Sequence, residues 1–143
     1  MKKGILVAAA AATLFSGCAS KITSMQKNEL EAYKSKGLYV EEKSTGAAVG
    51  LGLLPGGGSF YTENYGLGVV NLLLWPVSIL WDPVSGHNGA EMINYHATKQ
   101  AAKMKMKQEI TLLEREFEDG KIEKDRFIAK KREIEDRYNP EML

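Results

Sequence analysis

Apolar positions fall along the chain in patterns of different kinds, and each predicts a different element. Between residues 89 and 118, Met92, Tyr95, Ala102, Met106, Ile110, Leu113 and Phe117 recur at intervals of three, four and seven. That spacing puts one apolar stripe on a long helix. Asp119-Gly120 supplies its stop, with glycine accepting the left-handed conformation after the last turn. A second helix is predicted from Lys124 to about Tyr138, carrying Phe127, Lys131, Ile134 and Tyr138 along one side. Glu133–Arg137 and Lys131–Glu135 form i, i+4 pairs on its outer surface, and Asn139-Pro140 closes it.

Residues 46–86 have another character. The stretch 46–54 is small and apolar, Pro55-Gly56-Gly57-Gly58 breaks it, and 66–81 is apolar apart from Asn71 and Ser78. A short helical hairpin with a glycine-rich turn is predicted. Gly46 and Gly50, and across the turn Gly66 and Gly68, offer bare faces for close helix approach. As one straight helix, 66–81 would reach roughly 24 Å, short of the ~30 Å hydrocarbon core. Trp75-Pro76 breaks or kinks it. Glu63 and Asn64 in the turn are costly at membrane depth. Three placements remain open: a hairpin lying in the headgroup region, a core packed under the chain's own C-terminal helix, and a spanning pair. The first is the expectation, with Trp75, Trp81, Tyr61 and Tyr65 as interfacial aromatics. The segments 58–61 (Gly-Ser-Phe-Tyr) and 65–68 (Tyr-Gly-Leu-Gly) resemble the turn of paired-transmembrane-helix hairpin domains. The wider run 53–83 resembles a block found in uncharacterised bacterial lipoproteins.

The N-terminal part explains how such a chain could be held. Lys2 and Lys3 precede an apolar run from Ile5 to Phe15, and Ser16-Gly17 leads to Cys18. A helix of that length is roughly 16 Å, too short to span, and the plan is that of a secretory signal over residues 1–17. Leu14-Phe15-Ser16-Gly17-Cys18 resembles the bacterial lipobox. That resemblance implies a diacylglyceryl group on the Cys18 sulfur and a third acyl chain on its freed amine. Cys18 is the only cysteine, which excludes an internal disulfide. Ala19 stands where lipoproteins kept at the inner membrane carry Asp, so the resemblance implies the outer membrane, facing the periplasm. Residues 18–45 are polar and lysine-rich and are expected to act as a lipid-anchored linker. Within them Ser24 opens a short helix ending at Gly37, with Ile22, Met25 and Tyr33 as a weak apolar stripe, and Leu38-Tyr39-Val40 is a brief strand.

Residues 112–138 resemble the SHOCT domain, a short helical hairpin, through Leu113, Phe117, Gly120, Ile122, Phe127 and Lys130-Lys131. Glu123 stands where that family usually has Thr or Ser as the cap of the second helix. The resemblance implies self-association or docking, with Leu113, Phe117, Ile122, Phe127 and Ile134 as the surface.

Charge and reactive side chains add little. The formal net charge of +1 includes the two leader lysines, and without them the balance turns slightly negative, giving no case for nucleic-acid binding. No lysine follows Gly56-Gly57-Gly58-Ser59 at phosphate-loop spacing. His87, Glu91 and His96 are spaced too loosely for a metal site, with His87 expected ahead of the long helix. Carboxylates from Glu109 onward alternate with Lys and Arg, as on a solvated helix. Lys99, Lys103, Lys105 and Lys107 would serve solubility or face anionic headgroups.

The sequence therefore predicts a mainly α chain: a short glycine-rich helical hairpin, a long helix over the charged region 87–143, and a C-terminal helical hairpin. It predicts a lipid-anchored envelope protein without catalysis, metal or cofactor beyond the lipid on Cys18. Its partners would be membrane lipid and either a second copy or an envelope protein. The alternative is a tethered periplasmic accessory subunit of a transport or secretion complex.

Overall fold

The computed structural model describes residues 21–141, so the leader and Cys18 lie outside the described residues. The described chain is mainly helical and has no strand. Its elements are α1 (Ser24–Ser35), α2 (Thr45–Leu51), α3 (Gly57–Tyr61), α4 (Tyr65–Leu73), a 3-10 turn (Val77–Leu80), α5 (Asp82–Glu118) and α6 (Lys124–Tyr138). Contacts divide the chain into two units. One is built on Glu42–Asn94 and takes in the described residues Lys21, Ile22 and Thr23, and the other joins Ser24–Glu41 to the described chain from Tyr95 onward.

The second unit follows the predicted periodicity. Tyr33, Ala102, Leu113, Ile134 and Tyr138 are buried in one cluster, with Leu38, Met106, Ile110, Ile122 and Phe127 packed against it. Two glycines shape its corners. Gly37 (φ +68°) and Gly120 (φ +69°) adopt the left-handed conformation after α1 and α5. In each case the next two amides close a Schellman turn: Leu38 N–H to Tyr33 O and Gly37 N–H to Lys34 O, then Lys121 N–H to Glu116 O and Gly120 N–H to Phe117 O. Leu38 is thereby returned to the cluster that holds Tyr33.

Within residues 18–45 one expectation holds and one is corrected. The helix expected to open at Ser24 is α1, on which Leu30, Ala32 and Tyr33 are buried. Leu38-Tyr39-Val40 is not a strand, because its backbone partner is a side chain. The Val40 N–H donates to Thr98 Oγ1 at 3.0 Å, and the same hydroxyl donates to Val40 O at 3.2 Å.

In the first unit the hairpin has more pieces than its pattern suggested. Ser44 caps α2 by accepting from the Ala47 N–H (3.3 Å), and Asn64 caps α4 by accepting from the Leu67 N–H (3.4 Å). The glycine-rich turn itself contains α3, entered through Gly56 at φ +70°. The expected break at Trp75-Pro76 is present: α4 ends at Leu73, the Trp75–Pro76 peptide is cis, and the 3-10 turn follows. The long helix begins at Asp82 and not at 89. Pro83 suits a first helical turn, whereas Gly86 and Gly89, each unfavourable by about 1 kcal/mol in a helix interior, mask the helix in the sequence. His87 consequently lies inside α5, 3.7 Å from Glu91. No helix among the described residues is long and apolar enough to cross a membrane.

Candidate membrane-facing surface

The first unit has a polar centre, and Asp82 is at the middle of it. Asp82 is completely buried at the start of α5. Its carboxylate accepts from the Gly58 N–H (3.1 Å) and Ser59 N–H (3.2 Å) in α3, from Ser59 Oγ (2.5 Å) and from Asn71 Nδ2 (2.6 Å) in α4. Asn71, also fully buried, accepts in turn from the Trp81 indole N–H at 2.8 Å. Thr62 closes α3 by donating to the Gly58 and Ser59 carbonyls. One carboxylate thus ties together α3, α4 and the first turn of α5. A second clamp is made by Asn94, whose Oδ1 accepts from the Glu42 and Lys43 N–H groups (2.8 Å each) and whose Nδ2 donates to Lys43 O (2.7 Å).

Small residues let the backbones come this close. A Cβ on Gly86 would stand 2.7 Å from Ala48 O, one on Gly52 2.5 Å from the Pro83 backbone, and one on Gly89 2.8 Å from the Thr62 side chain. Gly68 of the predicted set is such a site, since it lies under the Phe60 ring. Gly46, Gly50 and Gly66 are exposed, and a Cβ on Gly50 or Gly66 would meet nothing within 4 Å. The close approaches therefore fall mainly at Gly52, Gly58, Gly86 and Gly89, on faces set by the Asp82 network.

The consequence is an inversion of the usual arrangement. Every fully buried residue in Glu42–Asn94 is Gly, Ala, Ser, Thr, Asn or Asp. Large apolar side chains point the other way: Leu53, Leu54, Val69, Leu72, Leu73, Leu74, Val77, Ile79, Leu80 and Val84 are exposed, with Leu73 at 78% and Leu80 at 76%. Exposed large apolar side chains in this number within one unit are candidates for contact with a partner or a membrane. Of the four aromatics expected at an interface, Trp75 (52%) and Tyr65 (64%) are exposed. Trp81 and Tyr61 turn partly inward: Trp81 donates to Asn71, and Tyr61 takes the Ser44 N–H on its hydroxyl beneath Lys43.

The five residues expected to form the docking surface are brought together, but largely inside the second unit. Leu113 and Ile134 are buried, Ile122 and Phe127 pack on the same cluster, and Phe117, 39% exposed, stacks on Phe127 with ring centroids 4.8 Å apart. Leu112 and Ile128, their neighbours in sequence, are exposed. Elsewhere in that unit Glu29, Tyr95 and Lys99 form a closed triangle: Tyr95 Oη to Glu29 at 2.8 Å, Lys99 Nζ to Glu29 at 3.0 Å and Lys99 Nζ to Tyr95 Oη at 2.9 Å. Burial pushes the Glu29 carboxyl upward, but the hydrogen bonds from Tyr95 and Lys99 and the lysine's charge outweigh it and hold it below its usual value. Bonding to Tyr95 first, then to Glu29, drives Lys99 far above the ordinary lysine value. Among the described residues no cluster of His, Cys, Asp or Glu could hold a metal ion.

Sequence reasoning missed Asp82, Ser59, Asn71 and Asn94. A signal existed: Asn71 and Ser78 are the only polar interruptions of the 66–81 run, and both are buried. Comparison of the chain with protein-family models, with curated proteins and with solved structures yields no match.

Proposed function

We propose that this chain is a lipid-anchored cell-envelope protein without catalytic activity, whose glycine-rich unit lies in one face of a membrane and whose helical unit serves interaction. Cys18 would carry the acyl anchor, and two or more chains there would make attachment lasting. The single observation that supports the membrane contact is the inverted unit, with Asp82, Asn71 and Ser59 inside and Leu72 to Leu74, Trp75, Val77 and Leu80 outside. In water such an arrangement forgoes the burial that normally stabilises a fold, about 25 cal/mol per Å² of apolar surface. In hydrocarbon it is favourable, because polar groups satisfied internally are then the ones kept from the lipid. Trp75 and Tyr65 at the exposed surface suit the headgroup boundary.

For the helical unit, the docking role implied by the SHOCT resemblance narrows to the apolar side chains that stay exposed on α5 and α6, namely Leu112, Phe117 and Ile128, since Leu113 and Ile134 are used internally. A second copy or an envelope protein would sit there.

The test is fractionation with Cys18→Ala in the full chain. Retention in the membrane fraction supports independent insertion of the hairpin, and release into the soluble fraction favours the tethered accessory subunit. Mass spectrometry of the mature N-terminus tests the anchor directly, and an unmodified Cys18 thiol would overturn it.

A further inference from the structure

Resting on that membrane reading, we infer that the apolar face of the first unit engages the hydrocarbon of electrically neutral membranes and does not select anionic headgroups.

Surface insertion of a helical segment commonly combines apolar burial with lysines and arginines that attract anionic lipid. Here the second ingredient is missing beside the first. From residue 44 to residue 86 the only charged side chains are Glu63 and Asp82. Asp82 is fully buried, with its oxygens taken up by Gly58, Ser59 and Asn71. Lys43 is the single Lys or Arg in Glu42–Asn94, and it faces Glu63 at 3.0 Å and the Tyr61 ring. Glu63 is paired with that lysine, and neither it nor the exposed Glu42 would attract an anionic headgroup. Lys103, Lys105 and Lys107 belong to the other unit, as does Lys99, which is occupied by Glu29 and Tyr95, and Lys21, the other described lysine of the first unit, stands on the segment before α1 and outside the apolar stretch 44–86.

The interior is suited to losing its water. Among the described residues Ser78 Oγ is the one buried side-chain polar atom without a hydrogen-bond partner. Insertion of Leu73, Leu80 and their neighbours would leave the polar centre as it is.

Flotation of the full chain and of its Leu73→Gln/Leu80→Gln variant with sized vesicles tests this. Both residues are exposed, so the variant keeps the buried network, and the ratio of the two partition coefficients isolates the face from leader, anchor and lysines. On pure phosphatidylcholine the ratio should be about tenfold or more. It should stay within about twofold when phosphatidylglycerol is added or when salt is raised until the Debye length falls to about 3 Å. A large ratio found only with phosphatidylglycerol, and collapsing in salt, would overturn the inference while leaving membrane contact standing. A ratio near one on every vesicle would remove the membrane reading itself, and the inference with it.

Discussion

Asn71 and Asp82 are both completely buried and meet through a 2.6 Å hydrogen bond from Nδ2 to the carboxylate, so that α4 and the first turn of α5 share one polar contact. Asp82→Ala would strand the Ser59 hydroxyl proton and the Gly58 and Ser59 backbone N–H groups in a site closed to water, with Asn71 Nδ2 left only its bond to Ser59 Oγ. Since each orphaned donor costs roughly 1–3 kcal/mol, the loss should be about 3 kcal/mol or more. Ser59→Ala removes one donor and leaves the others in place, so about 1 kcal/mol is expected. Denaturation followed by tryptophan fluorescence reads both, because Trp81 is bonded to the same network through Asn71. Equal and small losses for the two variants would show that Asp82 is not the centre.

Glycine substitutions should divide by sign. Gly46→Ala and Gly50→Ala place a methyl group in essentially open space on α2, where alanine is the better helix former, and should stabilise by about 0.5–1 kcal/mol each. Gly86→Ala brings a methyl 2.7 Å from Ala48 O and 3.0 Å from the Gly58 Cα, both backbone atoms that cannot turn aside. A loss of about 1–3 kcal/mol is expected despite the gain in helix propensity. Thermal unfolding of the three variants side by side decides it, and a stabilising Gly86→Ala would mean that α5 and α2 do not pack as described.

The helical unit was legible because one period governs it: the stripe from Tyr95 through Ala102, Met106, Ile110 and Leu113 is the buried stripe, and Gly120 ends α5 where a glycine stop was expected. The glycine-rich unit was legible as a hairpin but not in its packing. A small-residue spacing such as Gly46 and Gly50 marks where a helix could approach, whereas which face is used depends on Asp82, thirty-six positions from Gly46 and outside any local pattern. Gly86 and Gly89 weighed against a helix for the same reason they permit one here: the missing Cβ lowers propensity and admits a neighbouring backbone. Thr98 and Asn94, ordinary polar residues in sequence, act as strand-like partners for Val40 and Lys43, a role no periodicity encodes.

Acid should loosen the second unit through Glu29. Its carboxyl binds a proton less tightly folded than unfolded, so its contribution is fully present above the ordinary value of 4.5 and is lost as pH falls through the lower folded value. Lys99 shifts the opposite way, and its share is retained up to at least the ordinary lysine value of 10.5. Between those limits the triangle contributes a constant amount. Stability measured against pH should therefore fall below 4.5 with a slope that Glu29→Gln reduces. An unchanged slope in that variant would assign the acid sensitivity to other carboxylates.

Glu123 offers a gain in stability that the chain does not use. Its backbone is extended (φ −79°, ψ 158°) at the N-cap of α6, and its carbonyl already accepts from the Phe127 N–H at 2.9 Å, yet its side chain makes no capping bond. Ser44 and Asn64 make such bonds at the starts of α2 and α4. A hydroxyl on the first side-chain carbon would reach the free amides of the first turn, which the longer glutamate overshoots. Glu123→Ser and Glu123→Thr should each stabilise by about 1 kcal/mol, raising the melting temperature by roughly 4 °C, while Glu123→Ala should move it by only a few tenths of a kcal/mol. The gain should propagate, because α6 carries Ile134 and Tyr138 into the core and seats Phe127 on Phe117. If Ser, Thr and Ala variants melt together, the start of α6 is not held in the extended cap geometry, and the Phe117–Phe127 stack loses the fixed entry that positions it.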